Sequence, residues 1–371
     1  MSRLSLSAAL RQGLIAGTLG LALLGPAHAD EPLDVVTSFS ILDDMVSTIG
    51  GDHVAVTSLV GPNGDAHAFS PKPSDAQSLA KADLVVVNGL QFEGWIDRLI
   101  EASGYQGDVV VASHGIQPLA FDGHHDEEVA DHDADHDHGD ADHDHGDADH
   151  DHGDHDHDHD HGDADHDHDH GDADHDHDHG DTDHDHAEAG HHHHGNLDPH
   201  AWQDLRNGEQ YARNIRDGLI KVDPSHADDY RRNAERYIEQ MKVLDTETRE
   251  RLAKIPEADR LIITSHDAFG YFAHAYGLKL LAPVGLNTLA EPSASDMAEL
   301  IQQIEHNHAK ALFLENMSNP ALVQQLHQET GIAIGGTLYA DALTPDGEGS
   351  TYLGMFRHNV DTLVDALESG H

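Results

Sequence analysis

The sequence predicts an α/β protein of two (β/α) lobes joined by one long helix, with a low-complexity insert in the first lobe. Three observations carry this. From Leu33 onward, short β-branched runs alternate with helical patterns, and they do so in two blocks. A polar stretch rich in Arg and Glu separates the blocks. A His/Asp tract with no large apolar side chain interrupts the first block.

In chain order, residues 1–29 read as an export signal. Arg3 and Arg11 supply positive charge, Gly13 to Gly25 is a short apolar run, and Ala27-His28-Ala29 fits a small-x-small cleavage site. At about 13 residues the run is shorter than the roughly 20 that a spanning helix needs. Cleavage near Ala29 would start the mature chain near Asp30. The chain has no Cys, so it has no disulfides, no thiolate ligands and no lipid-modified Cys. These features point to the periplasm.

The first lobe is assigned to residues 30–223. Asp34–Phe39, Val54–Val60, Leu84–Val87 and Asp108–Ala112 read as buried parallel strands. Ser74 begins S-D-A-Q, a capping-box signature for a helix ending near Ala82. Residues 224–257 form the linking helix, starting near Pro224 or Ser225, with Tyr230, Ala234, Tyr237, Met241, Leu244 and Leu252 as a partial apolar face. The second lobe takes residues 258–371. Its strands are expected at Leu261–Thr264, Leu278–Val284, Ala311–Glu315 and Gly331–Gly335, with a helix carrying Met297, Leu300, Ile301 and Ile304.

The insert, residues 122–195, repeats units close to DADHDHDHG and holds 25 of the 38 histidines. It buries too little to offset backbone entropy, so the sequence predicts disorder there. It also explains the charge. Between Asp122 and Glu188 lie 30 acidic residues and no Lys or Arg; the rest of the chain has 40 acids against 20 bases. Nucleic acid is excluded as a partner, since phosphate binding needs clustered Lys and Arg. Multivalent cations suit the composition. Histidines such as His155, His157, His159, His161, His166, His168 and His170 offer weak, exchangeable sites.

Outside the insert, His53, His226, His306, His308, His327 and His358 read as solvated or hydrogen-bonded surface residues. Two others follow strands directly: His67 in GPNGDAHAFSPKPSD and His266 in ITSHDAFGYF. Ligands of open α/β sheets bind outside the carboxyl ends of strands. Asp341 follows the Gly331–Gly335 run, and His200, in NLDPHAW, follows the insert. Three imidazoles and a carboxylate make a complete tetrahedral set for Zn²⁺. Spacing by itself does not single out these four.

The motifs GPNGDAHAFSPKPSD, LDPHAW, SHDAFGYFAHAYGL and YADAL resemble those of the ZnuA-like family, the metal receptors of zinc and manganese ABC importers. The resemblance runs from about Leu33 to Leu367 apart from the insert, with the motifs in the family's order. It implies a rigid linking helix, a metal site in the cleft between the lobes, and His67, His200, His266 and Asp341 as ligands. It also implies a His-rich loop before the second ligand, as in zinc-specific members, although this one is unusually long and rich in Asp. Manganese members carry Glu where His266 stands, so an imidazole there favours Zn²⁺ over Mn²⁺. Some zinc members have a disulfide in the second lobe, which this chain lacks.

Asp65, Asp198 and Glu315 are candidate acceptors for imidazole N–H groups. For Asp198, an Asp-Pro turn explains the residue equally well. Phe69, Trp202, Phe269 and Tyr339 either wall the site or pack the lobes. The leading reading is a monomeric zinc receptor that hands its ion to a membrane permease, with a periplasmic zinc chaperone as a further possible partner. A manganese receptor and a zinc storage protein are the alternatives. A zinc hydrolase fits least, because four protein ligands leave no open position and neither H-E-x-x-H nor G-x-S-x-G occurs.

Overall fold

A computed structural model describes residues 31–120, 197–285, 288 and 292–369. The expected leader and the His/Asp segment lie outside the described residues.

Two four-stranded parallel sheets share one topology. In the first, β1 (Leu33–Phe39), β2 (Val54–Val60), β3 (Leu84–Val87) and β4 (Asp108–Val111) stand in the order β2-β1-β3-β4. In the second, β5 (Leu261–Ile263), β6 (Lys279–Leu281), β7 (Ala311–Glu315) and β8 (Ile334–Leu338) stand in the order β6-β5-β7-β8. All four residues of β3 are buried, as an apolar run in a central parallel strand should be. The edge strand β4 instead alternates, and Val109 and Val111 face solvent.

Helices cover the sheets. In the first block, α1 (Ser40–Gly50) buries Ile41, Leu42, Met45, Val46 and Ile49, a helical stripe facing the sheet. After it come α2 (Pro73–Leu79), α3 (Ile96–Ser103) and α4 (Leu205–Val222). The long helix α5 (Ala227–Leu252) has 26 residues and spans about 39 Å. It packs on α4, α1, α9 and α6 through Tyr230, Tyr237, Met241 and Leu244. The second block adds α6 (Gly270–Tyr276), α7 (Ala294–His306), α8 (Ala321–Thr330) and α9 (Tyr352–Ser369). One continuous apolar core joins both blocks; Phe39, Trp202, Tyr352, Phe356 and Phe272 belong to it. Among the described residues, no helix is long and apolar enough to cross a membrane.

Two local expectations need correction, and the linking helix fits. The cap of the first helix after β2 lies two residues before Ser74, at Lys72: Pro73 opens α2, and the Asp75 carboxylate accepts the Lys72 amide at 2.7 Å. The last strand runs over Ile334–Leu338 rather than Gly331–Gly335, because Gly331 takes φ 71° to end α8. The α-helical part of the linker begins at Ala227, after a 3₁₀ turn over Pro224–His226, and ends at Leu252.

Asp223 organises that turn. Its carboxylate accepts the Ser225 hydroxyl, His226 Nδ1 at 2.5 Å and the Tyr230 hydroxyl at 2.7 Å. Burial works to raise its pKa, but these partners outweigh burial and hold the carboxyl well below the usual range. A group with a depressed folded pKa stabilises the fold above its unfolded pKa of about 4 and loses that contribution as pH falls. Asp223→Asn should therefore flatten the acid limb. Between about pH 5 and pH 3, calorimetry should show the parent's melting temperature falling more steeply than the variant's.

Candidate metal centre

Four ligand atoms, one each from His67, His200, His266 and Asp341, lie within 4.8 Å of one another. His67 sits in the loop after β2. His266 lies three residues beyond β5, and its backbone bridges Val284. Asp341 lies three residues beyond β8, so the shift of that strand brings it to a carboxyl end as well. His200 precedes the 3₁₀ turn that leads into α4. Each donor thus comes from a different segment, two from the first block and two from the second.

The donor atoms are set at coordination distances. His67 Nε2 is 3.3 Å from His200 Nε2 and 3.3 Å from Asp341 Oδ2. His266 Nε2 is 3.1 Å from Asp341 Oδ2, and His200 Nε2 is 3.6 Å from Asp341 Oδ1. A tetrahedron with metal–ligand bonds of about 2.0–2.1 Å has edges of about 3.3–3.4 Å. Asp341 has no exposed surface, and its Oδ1 is a buried oxygen without a hydrogen-bond donor. Leaving such an atom unpaired is costly, and a cation at the centre would satisfy it.

The ring tautomers follow from the far nitrogens. His200 Nδ1 donates to Asp198 Oδ1 at 2.8 Å, and His266 Nδ1 donates to Glu315 Oε2 at 2.5 Å. With Nδ1 committed as donor, each Nε2 directs a lone pair inward once the ring is neutral, as a metal ligand requires. Glu315 also accepts the amides of Ser265 and His266 at 2.8 and 3.1 Å. Asp198 likewise accepts the His200 amide at 2.9 Å, so turn and orienting group are one residue. Asp65 differs: it accepts the amides of His67 and Ala68 and the Thr288 hydroxyl, shaping the loop rather than the ring.

Of the four aromatic candidates, Trp202 meets the site, with its ring 5.3 Å from that of His200. Phe69 packs on Trp95, Phe269 faces Phe272 and Tyr339 stacks on His358. The wall that sequence reasoning missed is Phe92, at 4.7 Å from the His67 ring and 5.9 Å from that of His200. Nothing in GLQFEGW marks it, since an aromatic there reads as ordinary core. Its neighbour Glu93 is buried, which pushes its carboxyl up despite donors from Ser38, Asn88 and Gly89. Asn88 in turn donates to Pro199 O at 2.9 Å, supporting the turn before His200.

Comparison with known proteins shows the family. The family model described as the periplasmic component A of the zinc-uptake complex, ZnuA, matches residues 35–366. The chain belongs to the ZnuA family. It is 29% identical over 355 residues to the manganese-binding lipoprotein MntA of Halalkalibacterium halodurans, covering 95% of each chain. It is 28% identical to the iron-binding protein YfeA of Yersinia pestis, covering 94% of this chain and 90% of that one. Among solved structures, the periplasmic zinc-binding protein TroA of Treponema pallidum superposes with a TM-score of 0.69 at 25% identity, over 91% of this chain and 99% of that one. A Mn-bound periplasmic metal-binding protein of Candidatus Liberibacter asiaticus gives a TM-score of 0.65 at 26% identity, over 90% and 98%. As a ZnuA-family member the chain is a substrate-binding protein of the metal ABC transporter type and not an enzyme.

Protonation competes with the metal at this centre. Burial disfavours charged His266, but the Glu315 and Asp341 carboxylates outweigh it and hold the imidazole well above its usual pKa. Burial likewise opposes ionised Asp341, yet the His200 and His266 imidazoles hold its carboxyl well below the usual range. The sign follows. A His whose folded pKa is raised stabilises the metal-free fold fully below about pH 6.5 and loses that as pH rises through the folded value. Metal must displace this proton. Titration calorimetry in buffers of different ionisation enthalpy should show proton release near neutral pH. Glu315→Gln should release less and bind about 10–100-fold more weakly.

Proposed function

We propose that this protein is an exported zinc receptor that binds one Zn²⁺ through His67, His200 and His266 Nε2 and the Asp341 carboxylate, and delivers it to the permease of an ABC importer. The observation that carries this is the buried Asp341 carboxylate, one oxygen unpartnered, with the Nε2 atoms of His67, His200 and His266 within 3.6 Å of its two oxygens. A donor set of three nitrogens and one carboxylate is borderline in character and suits Zn²⁺ better than Mn²⁺. We take residues 30–223 and 258–371 as the lobes, with 224–257 between them. The protein works as a monomer in the periplasm after removal of residues 1–29. A periplasmic chaperone is a further candidate donor of the ion.

The second reading is a manganese receptor, favoured by relatives named for manganese. Competition titration separates the two. Zn²⁺ should displace Mn²⁺ from the purified protein, and His266→Glu should move the preference towards Mn²⁺ by substituting a hard carboxylate. X-ray absorption on protein lacking residues 122–195 should give about three N and one or two O donors at roughly 2.0–2.2 Å. An oxygen-rich, six-coordinate shell would contradict the zinc reading.

The His/Asp tract is read as a capture device. Weak sites on the stretch of chain that directly precedes His200 in sequence would re-present an ion many times, which raises its effective concentration. Deleting residues 122–195 should leave the affinity of the four-ligand site nearly intact and slow its loading from a competing chelator. Replacing the tract's histidines with Ser should reproduce the deletion, as followed by stopped-flow zinc loading. Loss of all tight binding on deletion would instead make the protein a zinc store.

A further inference from the structure

Residues 119–120 and 197–198 are clamped together. Ala120 and Leu197 form an antiparallel bridge, and the Asp198 amide donates to Leu119 O at 3.0 Å. One side chain from the other sheet's block closes this clamp. The Tyr271 hydroxyl, on α6, accepts the Leu119 amide at 3.0 Å and donates to Asp198 O at 3.2 Å. It therefore uses both its acceptor and its donor on the two strands of the neck. The ring itself is buried, with 3% of its surface exposed.

Asp198 is the residue where neck and metal centre meet. Its amide pairs with Leu119, its carbonyl with Tyr271, and its carboxylate with both the amide and Nδ1 of His200. Every polar group of Asp198 is committed, so its backbone position and the direction of the His200 ring are not independent. Gly270 lies against the same carboxylate: a Cβ there would come 2.5 Å from Asp198 Oδ2. The start of α6 is thus moulded to this one side chain.

We infer that Tyr271 is a positioning residue for metal binding, acting through Asp198 to hold His200 and tying the neck of the 121–196 segment to the opposite block. This rests on the reading of His200 as a ligand. Burial pushes the Tyr271 hydroxyl up to about 12, so it remains a donor throughout the physiological range. The role is distinct from that of Glu315, which holds His266 directly.

The test uses the full-length protein loaded with Zn²⁺ and chased with excess chelator. Tyr271→Phe keeps the buried ring and removes only the hydroxyl. It removes both of the hydroxyl's hydrogen bonds and should release zinc about fivefold faster. Asp198→Asn should release it about 10–100-fold faster. The double-mutant cycle separates positioning from general loosening. In the Asp198→Asn background, Tyr271→Phe should add little, whereas with Glu315→Gln its effect should multiply in full. An equal Tyr271→Phe effect in both backgrounds would overturn the inference, as would a release rate matching the parent. His200→Ala distinguishes the two levels. If it abolishes tight binding while Tyr271→Phe changes nothing, only the role of Tyr271 fails. If His200→Ala binds zinc like the parent, the ligand assignment fails and this inference with it.

Discussion

A carboxylate with no exposed surface, Asp341, sets the terms for the rest of the molecule. Burying an unpaired charge costs several kcal/mol, and its environment must offset that. Here the compensation comes from imidazoles on three separate segments, two of them borne by the opposite sheet's block. The two sheets must therefore face each other across this point. The contacts that make them do so converge on the Asp341 segment. Trp202 Nε1 and Gln203 Nε2 both donate to Ala340 O, at 3.1 and 2.9 Å, Ser40 Oγ accepts the Leu343 amide at 3.0 Å, and the Asn63 amide donates to Leu343 O at 2.8 Å. Residues 340–343 belong to the second block in sequence and are fastened to the first.

The two sheets solve the same local problem with one device used twice. In each, the strand order reverses between two central strands, β1 and β3 or β5 and β7. A buried glutamate stands at each reversal, where the loops diverge and leave backbone amides unpaired. Glu93 accepts the Asn88 and Gly89 amides and the Ser38 hydroxyl; Glu315 accepts the Ser265 and His266 amides and the Ser318 hydroxyl. The difference lies in the last acceptor site. Glu315 gives it to the His266 ring, while Glu93 reaches His200 only through Asn88 and Pro199. A structural carboxylate and an orienting one are the same feature with one partner exchanged.

Much of this was legible in the sequence, for physical reasons. Parallel strands with both faces covered show as unbroken apolar runs, so Leu84–Val87 and Ala311–Glu315 match the observed strands residue for residue. Gly331–Gly335 misleads because a glycine after a helix and a glycine within a strand look alike until φ is known. The four candidate ligands could be named only with the family's motifs, since strand-end placement applies to many polar residues. Phe92 carried no signal, and Tyr271, inside the SHDAFGYFAHAYGL motif, carried none that set it apart from its neighbours there. Their roles arise from segments 108 and 73 residues away, at His200 and Asp198, and no local pattern encodes such a distance.

The bridge between Ala120 and Leu197 has a consequence for how this gene can change. The metal centre is presented with the same two chain ends whatever runs between them. The entropy of closing a loop grows only logarithmically, about 0.6 kcal/mol for each doubling of length. Copies of the DADHDHDHG unit can thus be gained or lost, as slippage on a repetitive coding sequence would do, with little effect on the folded site. The four candidate ligands all lie in the unrepeated part of the chain, so selection can adjust the repeat number without touching them.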